Sequence, residues 1–239
     1  MTDVRLLVSD LDGTLLGDPP ALARFARWVE HRRGSIRLVY ATGRHRGSVE
    51  SAIDSERLPR PDAVISAVGT EIHDAAGRPM PEWFDLLDRS HGERVRKALR
   101  PLQWLEPQPD ENQTDLKASY DIRGLTPGDA AAIRRVLAAA DIDATLVYSG
   151  SLHLDVIPTL AGKGRAARFL ADTWRVPETA VFTFGDSGND LDLMTAGFRG
   201  TIVANALPEL LIEAPIDVYR SARPFADGVL DGIRYWSQR

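Results

Sequence analysis

Near the start of the chain stands Arg5-Leu6-Leu7-Val8-Ser9-Asp10-Leu11-Asp12-Gly13-Thr14, a short apolar run that leads into two aspartates and a glycine turn. Apolar, β-favouring residues of this kind are typical of a strand that is buried on both faces. In open parallel sheets, ligands bind beyond the carboxyl ends of the strands, and residues two apart face the same side. The stretch therefore predicts a buried strand that presents Asp10 and Asp12 to one ligand, with an acidic surface turn as the alternative.

The composition is that of an ordinary globular protein. The chain has 239 residues, of which 44% are hydrophobic and 26% are charged, and its formal net charge is −5. The sequence has no basic run for nucleic acid or an anionic membrane, and it has no cysteine for disulfides, thiolate nucleophiles or zinc–thiolate sites. We also find no signal-like start and no apolar run of transmembrane length. We therefore expect a cytoplasmic protein without nucleic-acid or membrane partners.

Strands and helices alternate on either side of a central insert. Leu22, Phe25 and Val29 recur at helical spacing, and two further apolar runs, at residues 36–40 and 63–67, predict strands with a helix between them. After the insert the pattern resumes with a helix that begins at Lys163, an apolar strand and a closing helix. This order implies a parallel sheet with right-handed crossovers.

The pattern changes around residues 71–80, where Asp74-Ala75-Ala76-Gly77 predicts a hairpin tip. The following segment has the order helix, strand, helix, strand, strand, with a one-faced strand at Leu116–Ile122 and a capping box at Thr126. We therefore predict an α/β fold with a Rossmann-like parallel-sheet core, a three-layer α/β/α arrangement, and an inserted α+β cap domain. The predicted core comprises residues 1–80 and 159–239, and the predicted cap comprises residues 81–158.

Polar turns end three of the predicted sheet strands, and a lysine begins a later helix. These groups are Asp10 with Asp12, Thr42 with Gly43, the segment Asp186–Asp190, and Lys163. This set suits the hydrolysis of a phosphate monoester. A phosphate dianion repels an anionic nucleophile, so a hard cation such as Mg²⁺, held by Asp10 and Asp186, is needed between them.

Each group has a catalytic role in this hypothesis. Asp10 would attack phosphorus and form an aspartyl-phosphate, while Asp12 would protonate the leaving oxygen and later activate water. Thr42, the N–H groups around Gly43 and the Lys163 ammonium would hold the transferring oxygens. Each group also has a structural alternative, namely a turn, a solvated lysine or a helix cap. Because all of them occur together, the set favours a catalytic site.

These four motifs resemble, in the same order, the motifs of haloacid-dehalogenase-like phosphatases. The insert resembles the cap of the sugar-phosphatase branch, and other segments resemble sucrose-phosphate and mannosylfructose-phosphate phosphatases, namely Ala67–Ile72, Asp155–Pro158 and Asn205–Leu210. The resemblance implies Mg²⁺ as the cofactor. It implies that the metal ligands are Asp10, Asp12 through its carbonyl and Asp186, with Asp190 in support, and that the phosphate contacts are Thr42, Gly43, Lys163 and Asn189.

The cap strand departs from the family pattern. At this strand the pattern of the sucrose-phosphate phosphatases that the chain resembles is Gln-Asn-Pro-Trp-Lys-x-Ser. This chain has Gln113-Thr114-Asp115-Leu116-Lys117-Ala118-Ser119. Alternation along the strand assigns one face to the cap's own core, namely Leu116, Ala118, Tyr120 and Ile122, and leaves Lys117, Ser119 and Asp121 on the other face. We predict that Gln113, Lys117 and Ser119, together with Arg44 from the core, bind the sugar.

The sequence thus predicts a Mg²⁺-dependent phosphatase of a phosphorylated disaccharide, most directly sucrose 6-phosphate. Mannosylfructose phosphate, or a precursor such as glucosylglycerol phosphate, is the alternative within this class. A phospho-accepting signalling domain and a catalytically silent sugar-phosphate sensor are alternatives from other classes. Asp12 and the large insert argue against a signalling domain, which needs neither a leaving-group acid nor a cap. The presence of all the acidic residues of the motifs argues against a catalytically silent sensor. The oligomeric state stays open, and a monomer is compatible with the sequence.

Overall fold

The structure, a computed structural model, describes residues 5–239 of the chain. Its first strand, β1, is Arg5–Ser9, which pairs in parallel with a neighbour on each side. Leu6 and Val8 pack in one apolar cluster and Leu7 packs in another, because successive side chains of a strand point to opposite faces. The prediction of a strand buried on both faces is therefore confirmed.

Strands and helices are numbered in chain order. The strands are β1 Arg5–Ser9, β2 Ile36–Ala41, β3 Ala63–Ser66, β4 Glu71–Asp74, β5 Glu106–Pro107, β6 Ala118–Asp121, β7 Ala144–Ser149, β8 His153–Pro158, β9 Val181–Gly185, β10 Arg199–Ile202 and β11 Tyr219–Arg220. The α-helices are α1 Pro19–Glu30, α2 Arg46–Ser55, α3 Pro81–Phe84, α4 His91–Leu99, α5 Pro127–Ala139, α6 Lys163–Thr173, α7 Leu191–Thr195, α8 Pro208–Glu213 and α9 Phe225–Ser237.

The larger sheet within residues 5–239 has seven strands in the order β11-β10-β9-β1-β2-β3-β4. Its strands are parallel except for β4, which pairs antiparallel with β3. Apolar clusters cover both faces, which makes three layers. The predicted Rossmann-like core is confirmed, and the carboxyl ends of β1, β2 and β9 meet at one edge of the sheet.

Helix α1 shows how local sequence sets the elements of the core. The carboxylate of Asp18 accepts a hydrogen bond from the Ala21 N–H at 3.0 Å, and Pro19 occupies the first helical position. Phe25 and Val29 are buried against the sheet. The helix predicted from their spacing is confirmed, and it ends at Glu30.

The smaller sheet is antiparallel, with the order β5-β6-β8-β7, and it is formed from the insert. Helices α4 and α5 cover one of its faces, where Val95 and Ile133 pack with side chains of the strands. On the opposite face, Val147 and Ile157 pack against the apolar cluster of the larger sheet. The predicted capping box at Thr126 is present at the start of α5. The boundaries at residues 80 and 158 stay predictions.

The sequence prediction for the first long cap strand is wrong in two respects. Strand β6 begins at Ala118 rather than Leu116, because the N–H groups of Leu116 and Lys117 donate to the Thr114 hydroxyl and close a turn. Leu116 packs with the apolar cluster of the larger sheet and not with the cap's own core. Leu116 therefore contributes to the contact between the cap and the larger sheet.

None of the helices within residues 5–239 combines the length and the apolar content that a membrane crossing requires.

Candidate active site

The two aspartates of the loop after β1 differ in their exposure to solvent. Asp10 is only 3% exposed, and its N–H donates to the Phe184 carbonyl of β9 at 3.1 Å. Asp12 keeps 56% of its side chain exposed. Gly13 follows with a φ of 77°, a conformation that favours glycine. The turn therefore buries one carboxylate and leaves the other at the mouth of the site.

Asp186, which follows β9, lies directly against this turn. A Cβ atom on Gly13 would lie 2.3 Å from Asp186 Oδ2, so a side chain at this position would displace the carboxylate. The Thr14 hydroxyl donates to Asp186 Oδ1 at 2.7 Å, and the Asn205 amide donates to the Gly13 carbonyl at 2.7 Å. These contacts hold the glycine turn and the Asp186 carboxylate together.

Lys163, the first residue of α6, is fully buried among carboxylates. Its ammonium donates to Asp10 Oδ1 at 2.8 Å and to Asp190 Oδ1 at 2.7 Å. The other oxygen of Asp190 accepts from the N–H groups of Asp186 at 2.9 Å and Ser187 at 3.1 Å. The alternative of a solvated lysine is therefore wrong, and the groups that follow β1 and β9 meet at this ammonium.

Burial is the largest influence on the protonation of this cluster. It raises the pKa of Asp10 well above its ordinary value; Lys163 opposes this shift, and the neighbouring carboxylates add to it. Burial and repulsion from Asp190 raise the pKa of Asp186 to about 7, although the hydrogen bond from Thr14 lowers it. Burial disfavours the Lys163 ammonium, but Asp10 and Asp190 outweigh this cost and raise its pKa. The cluster thus combines a stable cation with excess negative charge.

The same carboxylates fit a divalent cation. One oxygen from each of Asp10, Asp186 and Asp190 lies within 4.8 Å of the others, and hard cations prefer oxygen ligands. Both oxygens of Asp190 already accept hydrogen bonds, so Asp10 and Asp186 are better placed as direct ligands. The single ammonium of Lys163 does not balance three carboxylates, and a cation would neutralise the excess.

We expect Mg²⁺ binding at this cluster to weaken as the pH falls from about 8 to about 6, because metal ligands must be deprotonated. The raised pKa of Asp186, about 7, means that this carboxyl is largely protonated at the lower pH and that the ion must displace its proton. The apparent affinity should fall by up to about tenfold per pH unit. Isothermal titration calorimetry across this range is the measurement, and an affinity independent of pH would contradict the prediction.

The loop after β2 brings Thr42 and Gly43 to the same edge. Thr42 is buried, and its hydroxyl accepts from the Arg44 N–H at 3.2 Å. A Cβ atom on Gly43 would lie 3.6 Å from the Asn189 amide nitrogen, and Asn189 Oδ1 accepts from the Lys163 ammonium. Of the four predicted phosphate-binding residues, Gly43, Asn189 and Lys163 therefore lie next to one another, and Thr42 directly precedes Gly43.

Arg44 pairs with the second aspartate of the loop after β1. Its guanidinium donates to both carboxylate oxygens of Asp12, from Nε to Oδ2 and from Nη2 to Oδ1, each at 2.6 Å. Bidentate pairs of this kind fix the orientation of both side chains. In this arrangement Arg44 holds the second aspartate of the loop, and its contact with a sugar stays a prediction.

The predicted sugar-binding residues of the cap form two groups. Lys117 and Ser119 are buried and both donate to Asp155 Oδ1, at 2.8 and 2.6 Å. The Gln113 amide instead binds main chain, because it donates to the carbonyls of Gln108 and Ser119 and accepts from the Ser119 N–H. Lys117, Ser119 and Asp155 are called the cap trio below, and Gln113 fixes the loop that precedes them.

A cavity of about 530 Å³ connects the catalytic core with the cap. Lys163 and Asn189 line it from the core, and Thr145 and Val147 of β7 line it from the cap. Its volume falls within the roughly 300 to 1,000 Å³ of small-molecule sites. The cap trio is not part of this lining.

Sequence reasoning missed three supporting side chains. Thr14 and Asn205 hold the catalytic turn, and Asp155 joins Lys117 to Ser119. Thr14 directly follows Gly13, and this position in the turn was the sequence signal that could have indicated its contact with Asp186. Asn205 is 192 residues from Gly13 in sequence, and a contact of this length follows no local pattern.

The chain was compared with known protein families, curated proteins and solved structures. Residues 3–237 match the family described as sucrose-6F-phosphate phosphohydrolase. The chain is 34% identical to mannosylfructose-phosphate phosphatase of Agrobacterium fabrum, over 99% of this chain and 98% of that protein. It is also 34% identical to probable sucrose-phosphatase 3a of Arabidopsis thaliana, although it spans only 52% of that protein's length.

Solved structures give the same result at the level of the fold. The sucrose-phosphatase of Synechocystis sp. PCC6803, solved in complex with sucrose and phosphate, superimposes with a TM-score of 0.92. The two sequences are 30% identical, and 99% of each chain is covered. A Thermoplasma acidophilum protein reaches a TM-score of 0.74 at 17% identity and supports the fold alone.

Proposed function

The chain belongs to the sucrose-6F-phosphate phosphohydrolase family, and on that premise we propose that it hydrolyses a phosphorylated disaccharide, most directly sucrose 6-phosphate, to sucrose and phosphate. It is a sugar-phosphate phosphatase of the haloacid-dehalogenase type. The observation that carries the substrate proposal is the cavity that joins Lys163 and Asn189 to the cap sheet. A phosphate held by Lys163 and Asn189 would direct its sugar toward Thr145 and Val147 of the cap sheet.

In the first step, an oxygen of Asp10 forms a bond to phosphorus and the bond from phosphorus to the sugar oxygen breaks. Asp12 donates a proton to the departing sugar oxygen. Asp12 is held by Arg44 in the structure, so it must exchange this partner before it protonates the leaving group. Lys163 stays close to the transferring oxygens and stabilises their charge.

In the second step, Asp12 takes a proton from water, whose oxygen attacks phosphorus and displaces Asp10. This releases phosphate and restores both carboxyl groups. We propose that Asp10, Asp186 and the Asp12 carbonyl hold Mg²⁺, with Asp190 in support. When bound there, Mg²⁺ screens the phosphate charge from the nucleophile.

The second candidate substrate is mannosylfructose phosphate, because the relative from Agrobacterium fabrum matches over nearly its whole length. For either substrate, we propose that the cap trio binds the second sugar. Ammonium, hydroxyl and carboxylate groups supply the donors and acceptors that such a sugar needs. The cytoplasmic location expected from the sequence stays a prediction.

A substrate panel tests the proposed function. Purified protein with Mg²⁺ is offered sucrose 6-phosphate, mannosylfructose phosphate, glucosylglycerol phosphate and simple hexose phosphates, and phosphate release is measured. We expect kcat/KM for one disaccharide phosphate to exceed the values for the hexose phosphates by about 100-fold or more. Equal values across the panel would contradict a disaccharide phosphatase while leaving phosphatase activity itself intact.

Replacing Lys117 with methionine is expected to lower kcat/KM for the disaccharide phosphate by about 10- to 100-fold and to change hydrolysis of an aryl phosphate little. Lys117 is 4% exposed and binds Asp155, so the variant removes a group of the proposed sugar site and no group of the proposed phosphate site. Binding energy from the sugar is available only to substrates that carry one. Steady-state kinetics on both substrates measure the difference.

Two further variants control this prediction. Lys97→Met removes an exposed lysine from α4 of the same cap and should change neither activity. The double variant Lys117→Met with Asp155→Leu avoids leaving a buried carboxylate unpaired, and it should still lose sugar selectivity. A parallel loss on both substrates would show that the cap trio supports folding and not sugar binding.

A further inference from the structure

The helix that carries Lys163 lacks a cap of its own. The first N–H groups of a helix have no partner within it, and a side chain at the preceding residue usually accepts from one of them. At α6 that preceding residue is Gly162, which has no side chain. The partner for these N–H groups must come from elsewhere in the fold.

Asp192, in helix α7, supplies this partner. Its Oδ2 atom accepts from the N–H of Gly164 at 2.7 Å and from the N–H of Arg165 at 3.2 Å. A carboxylate is also the favoured charge at this end of a helix. One side chain from α7 therefore caps α6 from a position 28 residues along the chain.

The contact between the two helices is close. A Cβ atom on Gly164 would lie 2.1 Å from the main-chain oxygen of Asp192, and one on Gly162 would lie 2.3 Å from Asp192 Oδ2. A side chain at either position would push α6 away from α7. The two glycines on either side of Lys163 thus let Asp192 reach the helix end.

Asp192 also lies close in sequence to the residues that bind the Lys163 ammonium. Asn189 and Asp190 accept from Lys163 Nζ, and α7 begins directly after them. The same short segment therefore holds Lys163 at both ends. Asn189 and Asp190 hold its ammonium, and Asp192 holds the first turn of its helix.

We propose that Asp192 is a positioning residue that fixes the main chain at Lys163, so that the ammonium meets the transferring phosphoryl group. This inference rests on the proposed role of Lys163 in hydrolysis. Asp192 lines the cavity proposed for the substrate, but this role requires only its hydrogen bonds to the first turn of α6. Its effect on the reaction passes through the position of α6 relative to Asp190.

The first test compares Asp192→Ala with Asp192→Asn, using an aryl phosphate at saturating Mg²⁺. We expect kcat to fall about 10- to 100-fold in the alanine variant, because misplacement of a catalytic group by about 1 Å costs this much. The asparagine variant should stay within about threefold of the unchanged protein, because asparagine caps a helix as well as aspartate does. An equal loss in both variants would overturn the proposal.

A matched control separates positioning from general stability. Asp18→Ala removes the corresponding cap from α1, where Asp18 accepts from the Ala21 N–H. Both alanine variants should lower the melting temperature by a similar amount, and only Asp192→Ala should lower kcat. An equal fall in kcat for Asp18→Ala, or no fall for Asp192→Ala, would overturn the proposal.

Two further measurements identify the group through which Asp192 acts. The Mg²⁺ concentration for half-maximal activity should stay within about threefold in Asp192→Ala, because Asp192 holds neither Asp10 nor Asp186. A large shift that saturating Mg²⁺ reverses would place the effect at the metal and overturn the proposal. If Lys163→Met stays active, the proposed role of Lys163 fails and this inference with it. If Lys163→Met loses activity and Asp192→Ala does not, the inference about Asp192 fails and the proposed role of Lys163 stands.

Discussion

Replacing Asp10 with asparagine is expected to abolish hydrolysis of sugar and aryl phosphates alike, with a loss in kcat of at least about 10⁴-fold. An amide does not attack phosphorus, and it is a weaker ligand for Mg²⁺ than a carboxylate. The fold should persist, because an asparagine oxygen can still accept from the Lys163 ammonium, as Asp10 Oδ1 does at 2.8 Å. Phosphate release and thermal melting are the two measurements.

The matched control for this variant is Asp172→Asn, which makes the same change at an exposed position in α6. It should keep full activity. Rapid acid quenching followed by mass spectrometry should detect a phosphoryl group on the unchanged protein and none on Asp10→Asn. Turnover by the variant near the unchanged rate would remove Asp10 as the nucleophile, whatever the melting temperature.

The parallel core could be predicted from the sequence because its signals are local. Apolar runs followed by polar turns mark β1, β2 and β9, and parallel strands bring these turns to one edge of the sheet. The four motifs also resemble a known superfamily, and the family match confirms that resemblance. The strand ends and the helix that begins at Lys163 therefore follow from patterns within a few residues.

The supporting contacts could not be predicted because they join distant parts of the chain. Thr14 binds Asp186 across 172 residues, and Asn205 binds Gly13 across 192. The pair of Arg44 with Asp12 depends on how two loops approach each other in space. Sequence patterns identified Asp186, Asp12 and Arg44 as site residues but did not show which side chains would bind them.

The cap strand shows a different limit. Alternation predicted Lys117 and Ser119 on one face, and both bind Asp155, although only Ser119 lies within β6. Leu116 fitted the apolar alternation, yet it packs with the larger sheet. It lies in the turn closed by the Thr114 hydroxyl, before β6 begins. Alternation therefore does not determine which apolar cluster a residue joins once the residue lies beyond the end of the strand.

Replacing Lys163 with methionine is expected to lower kcat by about 10³-fold or more, through the lost charge stabilisation at the phosphoryl group. It should also destabilise the metal-free protein by about 3 kcal/mol or more, because the carboxylates of Asp10 and Asp190 lose a buried partner. Methionine fills most of the space of the lysine stem, so the loss should reflect charge more than packing. Kinetics and chemical denaturation measure the two effects.

The loss of stability should depend on pH with a defined sign. Burial and neighbouring carboxylates already raise the pKa of Asp10 and Asp186, and removing the ammonium raises them further. The folded protein then binds more protons than the unfolded chain, so its free energy of unfolding falls as the pH rises from about 5 to about 8. The metal-free variant should therefore recover stability in mild acid, and Mg²⁺ should also restore it at pH 8.

Lys97→Met is the matched control, because it removes an exposed lysine from α4 of the cap. It should leave kcat, the melting temperature and its pH dependence unchanged. If Lys163→Met kept its stability at pH 8 without metal, the buried carboxylates would not depend on the ammonium for their charge balance. If it also kept its kcat, the positive charge at the phosphoryl group would come from the metal ion alone, and the catalytic role of Lys163 would be wrong.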